Sequence, residues 1–388
     1  GVGNSRGIAP YNTSSNTWNY MQAGAIAATF IDGTGYSVKR SFGGDISFTG
    51  TLNTSDASVE LSTEGNGFNL LGNPYLAYVS VAELIEEENI ATGNENLLSE
   101  QTVWLWDQVA NSYVQKNLAA DLELAPGQGF FVKASSVGNF NFTKLMQSHQ
   151  SSDTFQRPIT RPEITIVMSN DTDTRSANIF YIDGTTTGFD NGYDSSIFGG
   201  VANEFVIYTH AVANGNGRNL GIQSLPDSNY ENMVMPVGVN AVSGTAITIS
   251  ASTSNFPEGI NIYLEDKQES SFTLIDADAN FSTTLENSLS GIGRFYLHTT
   301  SGVLSADDFA VNNNISIYTS SNDNLRIVGV QNGTANLQMF NILGKTVLQT
   351  SFEGSGVNDI KLNNIPTGIY ILKLATENGT INRKISIQ

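Results

Sequence analysis

GIYILKLATENGTINRKISIQ, Gly368 to Gln388, closes the chain with a dense β pattern. Apolar and polar residues alternate on both sides of Asn378–Gly379, a dipeptide typical of tight hairpin turns. Chain ends are usually frayed and polar, whereas this pattern predicts a hairpin that continues to the last residue. Its second strand carries two bases, Arg383 and Lys384, and basic residues on an edge strand discourage unwanted pairing.

Strand-like runs of this kind recur along the whole chain, separated by turns rich in Gly, Asn, Ser and Thr. This spacing predicts an all-β protein of tandem β-sandwiches, the second of them jelly-roll-like. A chain of 388 residues exceeds one ordinary hydrophobic core. A polar stretch with two prolines near residues 145–162 lacks periodicity and is typical of a connector. We therefore predict domains at residues 1–150, 151–303 and 304–388.

Charge is distributed unevenly between the tail and the rest of the chain. Six bases balance six acids from Ser305 onward, so residues 1–304 carry all of the formal charge of -19. Such a break indicates a separate unit with its own role. Because an acidic surface repels nucleic acid and anionic lipid, we expect neither as a partner. The sequence contains no cysteine, which excludes disulfides and thiolate chemistry within it.

The first residues, GVGNSRGIAPYN, show neither an initiating Met nor the charged and apolar pattern of a signal peptide. We expect Gly1 to be an internal point of a longer precursor. In that case, any function carried upstream of Gly1 is not visible in this sequence.

One short helix is predicted in the first domain, beginning at Ser80. Ser80 and Glu83 have the spacing of a capping box, in which the two side chains satisfy free N–H groups at the helix start. The run VWLWD, Val103–Asp107, then alternates strictly and returns through a turn at Ala110–Asn111 as Ser112–Lys116. This pattern predicts a β-hairpin.

The sequence offers no catalytic constellation, and we predict no catalytic residue and no enzyme activity within these residues. The three histidines lie far apart in sequence, and the motifs of zinc proteases, serine hydrolases and phosphate-binding loops are absent. Glu265 and Asp266 are candidates for the paired acids of a glycosidase. However, neighbours in a strand point to opposite faces, so the two acids would not converge on one sugar. An upstream catalytic domain is compatible with this prediction.

Two weaker signals point to ligands, and each has a plain structural alternative. Asp190 and Asp194 lie in an acid-rich loop whose oxygens are suited to Ca²⁺, although Asp also makes ordinary turns; no other cofactor is predicted. Trp104 and Trp106 share one face of a strand, and flat rings stack on sugars, so a surface glycan is a candidate partner. Large aromatic side chains are more often buried in a core, which we favour for these two.

Three segments of the tail carry a family resemblance: LQMFNILGKTV (Leu337–Val347), IPTGIYILKL (Ile365–Leu374) and NGTINRKISI (Asn378–Ile387). In their order, spacing and C-terminal position they resemble the type A C-terminal sorting domain of the type IX secretion system of Bacteroidota. Many members open with a YPNP-like turn, where this chain has IYTSSNDN. Upstream, APGQGFFVKA (Ala125–Ala134) is similar to a module of flavobacterial surface proteins that carry this tail.

The resemblance implies a fold, a route and a set of partners. The tail would be a small Ig-like β-sandwich, and the protein would pass through the periplasm and the outer membrane to the cell surface or the extracellular space. The implied partners are an outer-membrane shuttle protein that binds the tail, a large translocon β-barrel, and a sortase that removes the tail and attaches the cargo to the surface. The expected recognition residues are Gly368, Tyr370, Lys373, Arg383 and Lys384. Because Arg383 and Lys384 alternate across a strand, we expect one of the two to contact the partner.

The sequence leaves more than one function open for the cargo. We expect the C-terminal part of a secreted or cell-surface, adhesin-like protein whose last domain is the secretion and attachment signal. One alternative is the C-terminal accessory region of a secreted polysaccharide- or protein-degrading enzyme. The other is a carbohydrate-binding adhesin module.

Overall fold

The computed structural model describes residues 6–21, 29–40, 49–86, 92–120, 122–148, 160–213, 217–227, 230, 233–301, 316–321, 324–328, 330, 333–341, 344–354, 357–362, 365–376 and 379–387. The chain divides into two compact units, Gly1–Glu265 with Thr273–Ser301, and Asp266–Phe272 with Gly302–Gln388. Across these described ranges, no helix is long and apolar enough to cross a membrane.

The described residues up to Ser148 are built mainly of short strands. In chain order these are β1 (Arg6–Asn12), β2 (Thr17–Trp18), β3 (Tyr36–Arg40), β4 (Ala57–Leu61), β5 (Phe68–Gly72), β6 (Tyr78–Ser80), β7 (Val103–Asp107), β8 (Ser112–Lys116), β9 (Glu123–Leu124), β10 (Gly129–Lys133), β11 (Gly138–Phe142) and β12 (Gln147–Ser148). One helix, α1 (Val81–Ile85), and two 3-10 turns, Asn94–Leu97 and Lys144–Met146, lie between them. The sheet orders are β2-β1-β3, β5-β10-β7-β8, β11-β4 and β12-β6-β9.

Helix α1 closes the core between these small sheets. It buries Val81, Leu84 and Ile85, whose i, i+3, i+4 spacing places them on one face of the helix. Tyr75, in the turn before β6, is buried in the same core and donates its hydroxyl to the Phe142 carbonyl oxygen at 2.8 Å. Burial raises the pKa of the Tyr75 hydroxyl to about 12. This hydroxyl is therefore a fixed hydrogen-bond donor at any physiological pH.

Residues 163–300 form one large sheet. Its strands are β13 (Glu163–Ser169), β14 (Thr174–Tyr181), β15 (Ser195–Ser196), β16 (Val206–Thr209), β17 (Leu220–Leu225), β18 (Met233–Ala241), β19 (Ala246–Ser254), β20 (Asn261–Asp266), β21 (Ser271–Leu274), β22 (Phe281–Thr284) and β23 (Leu289–Thr300). Their order is β21-β20-β23-β18-β16-β17-β14-β13-β19-β22, with β15 paired to β17. β14 and β17 pair in parallel, while the other pairs described in this sheet are antiparallel.

Period-two alternation explains how these strands bury one face. In β13 the side chains of Ile164, Ile166 and Met168 are buried, and the residues between them are half-buried. The same rule in the neighbouring strands gives a continuous apolar core that includes Phe295 and Leu297 of β23.

The tail has its own core between two sheets. Its strands are β24 (Ser316–Ser321), β25 (Asn324–Val328), β26 (Thr334–Asn341), β27 (Thr346–Glu353), β28 (Val357–Lys361), β29 (Gly368–Thr376) and β30 (Gly379–Ile387). They pair as β24-β25-β28 and β27-β26-β29-β30. Leu325 and Ile327 of the first sheet pack with Leu337, Met339 and Leu372 of the second.

The all-β prediction is confirmed, and so are both predicted hairpins, β7–β8 and β29–β30. Asn111 takes a positive φ of 48° in the first hairpin's turn, a conformation that Asn tolerates. Helix α1 follows Ser80 as predicted, but the Ser80 side chain makes no capping hydrogen bond. The predicted capping hydrogen bond of the Ser80 side chain is therefore wrong. This helix of five residues is held instead by its buried face. The boundaries at residues 150 and 303 stay predictions.

Candidate functional site

The closing hairpin, β29–β30, contains all five residues predicted to carry the export signal. The two strands pair without a break from Gly368 opposite Ile387 to Thr376 opposite Gly379. β29 also pairs with β26 on its other side, so β29 lies inside the sheet. The hairpin is therefore an integral part of the tail's fold.

Tyr370 lies in the core of the tail. Its side chain is 6 % exposed, and its hydroxyl donates a hydrogen bond to the Pro366 carbonyl oxygen at 2.7 Å. Gly368, between these two residues, has a φ of 157°, which residues with a Cβ rarely adopt. Tyr370 and Gly368 thus fix the bend by which the chain enters β29, and their part in recognition stays a prediction.

The opposite face of β29 is exposed. Ile369 and Ile371 are 47 % and 48 % exposed, and Lys373, two residues further on the same face, is also exposed. Sequence reasoning identified Lys373 but missed the two isoleucines. The period-two pattern of IYILKL carried the signal, since a buried Tyr370 places Ile369 and Ile371 on the outer face.

The basic pair of β30 is placed by its backbone register. Arg383 lies opposite Leu372, and Lys384 lies opposite Ile371. The side chains of Arg383 and Lys384 fall outside the described part of the structure, so the prediction that one of them contacts the partner remains a prediction.

Asp190 and Asp194, the predicted calcium ligands, both accept internal hydrogen bonds. Asp194 is fully buried and accepts the Asp190 N–H at 2.7 Å and the Ser224 N–H at 2.5 Å. Asp190 accepts the Thr186 N–H at 2.6 Å. Within the described residues, no group of three or more His, Cys, Asp or Glu side chains is placed to hold a metal. The two carboxylates order the loop before β15, and calcium binding there stays a prediction.

Burial raises the pKa of the Asp194 carboxyl to about 7, partly opposed by the N–H donors of Asp190 and Ser224. The negative charges of Asp190 and of Glu100 act in the same direction as burial. Glu100 itself forms an ion pair with Arg218, whose Nη1 lies 3.4 Å from the Glu100 Oε1.

We predict that Asp194 makes the protein less stable as pH rises. Because the folded pKa lies above the unfolded value of 3.8, the stabilisation is complete below pH 3.8 and is lost as pH rises to about 7. A shift of this size corresponds to roughly 4 kcal/mol. Urea unfolding of the native chain minus that of Asp194→Asn, between pH 4 and 8, measures it as a falling difference. A flat difference would contradict the prediction.

A matched control for that experiment has the opposite sign. Asp107 accepts N–H bonds from Ala110 and Val109 in the β7–β8 turn, which lowers its pKa below 3.8. Its stabilisation is therefore present above pH 3.8 and is lost as pH falls below that value. The difference between the native chain and Asp107→Asn should be flat between pH 5 and 8.

Four large aromatic residues of the first unit form a buried cluster, with three more packed against it. This aromatic cluster consists of Phe68, Trp104, Phe131 and Phe198, with Tyr11, Trp18, Leu70 and Tyr113 packed against it. Trp104 is fully buried and donates its indole N–H to the Ser196 carbonyl oxygen at 2.9 Å. Trp106 is 47 % exposed and packs edge-on against Tyr113. Trp104 and Trp106 therefore form no common exposed platform.

The acids considered for catalysis and two of the three histidines have partners within the fold, and His149 lies outside the described residues. Glu265 is buried against His298, with Oε2 and Nε2 2.8 Å apart. Asp266 accepts the N–H of Gln268 at 3.0 Å in the following turn. His210 contacts Asn219 through Nε2 at 2.7 Å. Each of these groups is used within the fold.

Comparison with known families assigns two parts of the chain. A family described as "Domain of unknown function (DUF8693)" matches residues 9–298. A second, described as "Secretion system C-terminal sorting domain", matches residues 311–388. The second match confirms the predicted resemblance of the tail to the sorting domain of type IX cargo.

Curated proteins and solved structures add little to this assignment. No curated protein matches the chain. A solved structure titled "Polysaccharide Lyase BACCELL_00875" is similar over 59 % of this chain at 6 % identity and a TM-score of 0.16. The match spans 40 % of the length of that structure. A similarity this low carries no argument about the fold or the activity of this chain.

Proposed function

We propose that residues 304–388 are a removable export signal that an outer-membrane shuttle protein binds. Over residues 9–298 the chain belongs to the family described as "Domain of unknown function (DUF8693)". The C-terminal sorting domain makes the protein a cargo of the type IX secretion system. Its destination is accordingly the cell surface or the extracellular space. We also propose that the protein passes through the translocon β-barrel, that a sortase removes the tail, and that the protein comes from a member of Bacteroidota.

The observation that carries the proposal is the two-sided character of β29. Its inner face, with Tyr370 and Leu372, is buried in the core of the tail, while Ile369, Ile371 and Lys373 are exposed on its outer face. Apolar side chains grouped beside a charge are typical of a contact surface. We assign contact with the shuttle to this outer face together with Arg383 or Lys384. Gly368 and Tyr370 then act as positioning residues for the strand.

Charge reversal at Lys373 tests this surface. Lys373→Glu should lower the secreted fraction about tenfold, because one reversed charge at a contact costs on the order of 1–2 kcal/mol. The matched control is Lys361→Glu, which reverses an exposed base on β28, in the other sheet of the tail. Immunoblots of culture medium against periplasm measure the ratio. An equal loss in both variants, or no loss at Lys373, would contradict the assignment.

For residues 1–303 we propose a non-catalytic, adhesin-like role at the cell surface. In support, Glu265 and Asp266 are each engaged inside the fold by partners of their own. The alternative is an accessory region of a secreted polysaccharide- or protein-degrading enzyme. The complete gene distinguishes the two, since a catalytic domain upstream of Gly1 would favour the alternative.

A further inference from the structure

A cleft of about 540 Å³ opens on the first compact unit, well away in sequence from the tail. Its lining includes Leu118, Ala119, Arg161, Asp183, Tyr193 and Asp227. Clefts of roughly 300–1,000 Å³ with a few converging polar groups are the usual form of small-ligand sites. Its walls come from segments far apart in sequence, so the fold itself assembles the cleft.

Two parts of the cleft wall, Leu118 and Tyr193, are held by hydrogen bonds of their backbone groups. Tyr193 has its carbonyl oxygen bound by the Asn117 side chain at 2.7 Å and by the Ser224 hydroxyl at 2.8 Å. Leu118 donates its N–H to the Gly192 carbonyl oxygen at 3.0 Å. Asp194, next to Tyr193, anchors the same loop from inside. Wall residues fixed in this way lose little conformational entropy when a ligand binds against them.

Two exposed carboxylates lie on the cleft wall. Asp183 and Asp227 are exposed, and neither makes a hydrogen bond or an ion pair with any residue that the structure describes. Arg161, in contrast, pairs with Glu163 at 2.8 Å and donates to the Ala119 carbonyl oxygen at 2.6 Å. The cleft therefore presents acceptors with a net negative charge, which disfavours phosphates, sulfates and uronic acids.

Tyr193 is an exposed aromatic residue of the cleft lining. The Tyr193 side chain is 39 % exposed, although its backbone is fixed. An exposed ring beside carboxylates provides a flat apolar face together with acceptors for hydroxyl donors. A sugar ring without charge has the complementary chemistry: an apolar face of C–H groups and a rim of hydroxyl donors.

We propose that this cleft binds a neutral saccharide of one or two rings, with the Tyr193 ring against the sugar face and Asp183 and Asp227 accepting its hydroxyl hydrogens. This inference does not depend on the proposed function of the tail, because the cleft residues all lie in the first compact unit. It also gives Asp190 and Asp194 a role, since their hydrogen bonds position the loop that carries Tyr193.

The test uses the full chain on an array of neutral cello-, manno-, xylo- and galacto-oligosaccharides of one to four rings. Titration calorimetry with the strongest binder on that array then compares variants. Asp183→Ala, Asp227→Ala and Tyr193→Ala should each weaken binding about tenfold or more, as expected when a hydrogen bond or a stacked ring is lost. All three side chains are exposed, so melting curves should stay unchanged.

Two matched controls remove equivalent groups elsewhere. Asp171→Ala deletes an exposed acid in the β13–β14 turn, and Trp106→Ala deletes an exposed ring on the β7–β8 hairpin. Both should leave affinity within about twofold. No binding to any neutral saccharide on the array would overturn the proposal. Loss of binding in Trp106→Ala with retention in Tyr193→Ala would overturn it too, as would a preference for acidic saccharides.

Discussion

Removing residues 378–388 should trap the protein in the periplasm, with no detectable cargo at the cell surface or in the medium. The deletion takes away β30, which supplies every β29 partner on that side of the sheet and buries Ile385 in the core of the tail. β29 would then pair with β26 alone and become an edge strand, and the basic residues Arg383 and Lys384 would be lost. Because residues 311–388 match a C-terminal sorting domain of a secretion system, this change should have the largest effect on export.

The experiment separates loss of the tail's fold from loss of the signal. Arg383→Ser with Lys384→Ser removes both charges without removing any backbone group that pairs β30 with β29. If recognition uses one of these bases, the double variant should be secreted about tenfold less while melting like the native chain. Fractionation and immunoblotting of both strains give the measurement. Normal secretion of the truncated protein would refute the role of the hairpin.

The local elements of the fold could be predicted from the sequence because their determinants are local. Alternation with a turn residue between two strands was enough for β7–β8 and β29–β30. At the candidate site, Lys373 lies on the exposed face, but Tyr370 proved to be in the core. A period of two predicts that alternate residues of a strand share a face. Only the packing of the second sheet decides which of the two faces is buried.

The long-range features could not be predicted in the same way. The parallel pairing of β14 with β17 joins residues more than forty positions apart, and no turn specifies it. The sequence of the loop that carries Asp190 and Asp194 is compatible with ordinary turns and also with a calcium site, because both use the same residue types. The structure shows that these carboxylates receive backbone N–H groups, one of them from Ser224 in a different strand.

The same limit applies to the packing of residues 1–150 against residues 151–303. Gly221 of β17 leaves room for the Gln115 side chain of β8, since a Cβ built there would lie 1.9 Å from the Gln115 amide nitrogen. Phe198 enters the aromatic cluster with its ring centroid 4.5 Å from that of Phe68. Sequence patterns within either stretch contain no information about these contacts, which form only when both are folded.

Phe198→Ala should therefore lower the unfolding free energy of the first unit by about 3–5 kcal/mol, the usual cost of deleting a buried ring. Phe198 is 4 % exposed and contacts rings from the other stretch, including Trp104. The truncation leaves a cavity that rigid neighbours fill poorly. Phe198→Leu keeps most of the volume and should cost roughly 1–1.5 kcal/mol.

Tryptophan fluorescence during urea unfolding of the full chain measures this effect selectively. All three tryptophans lie in the first unit, so the signal does not report on the tail. Val109→Ala, at a side chain that is 97 % exposed, is the control and should change stability by less than about 0.5 kcal/mol. A loss below about 1 kcal/mol for Phe198→Ala would show that residues 1–150 and 151–303 are energetically separate domains. The expected large loss of stability, detected by the fluorescence of tryptophans in residues 1–150, would instead show that the two stretches unfold together.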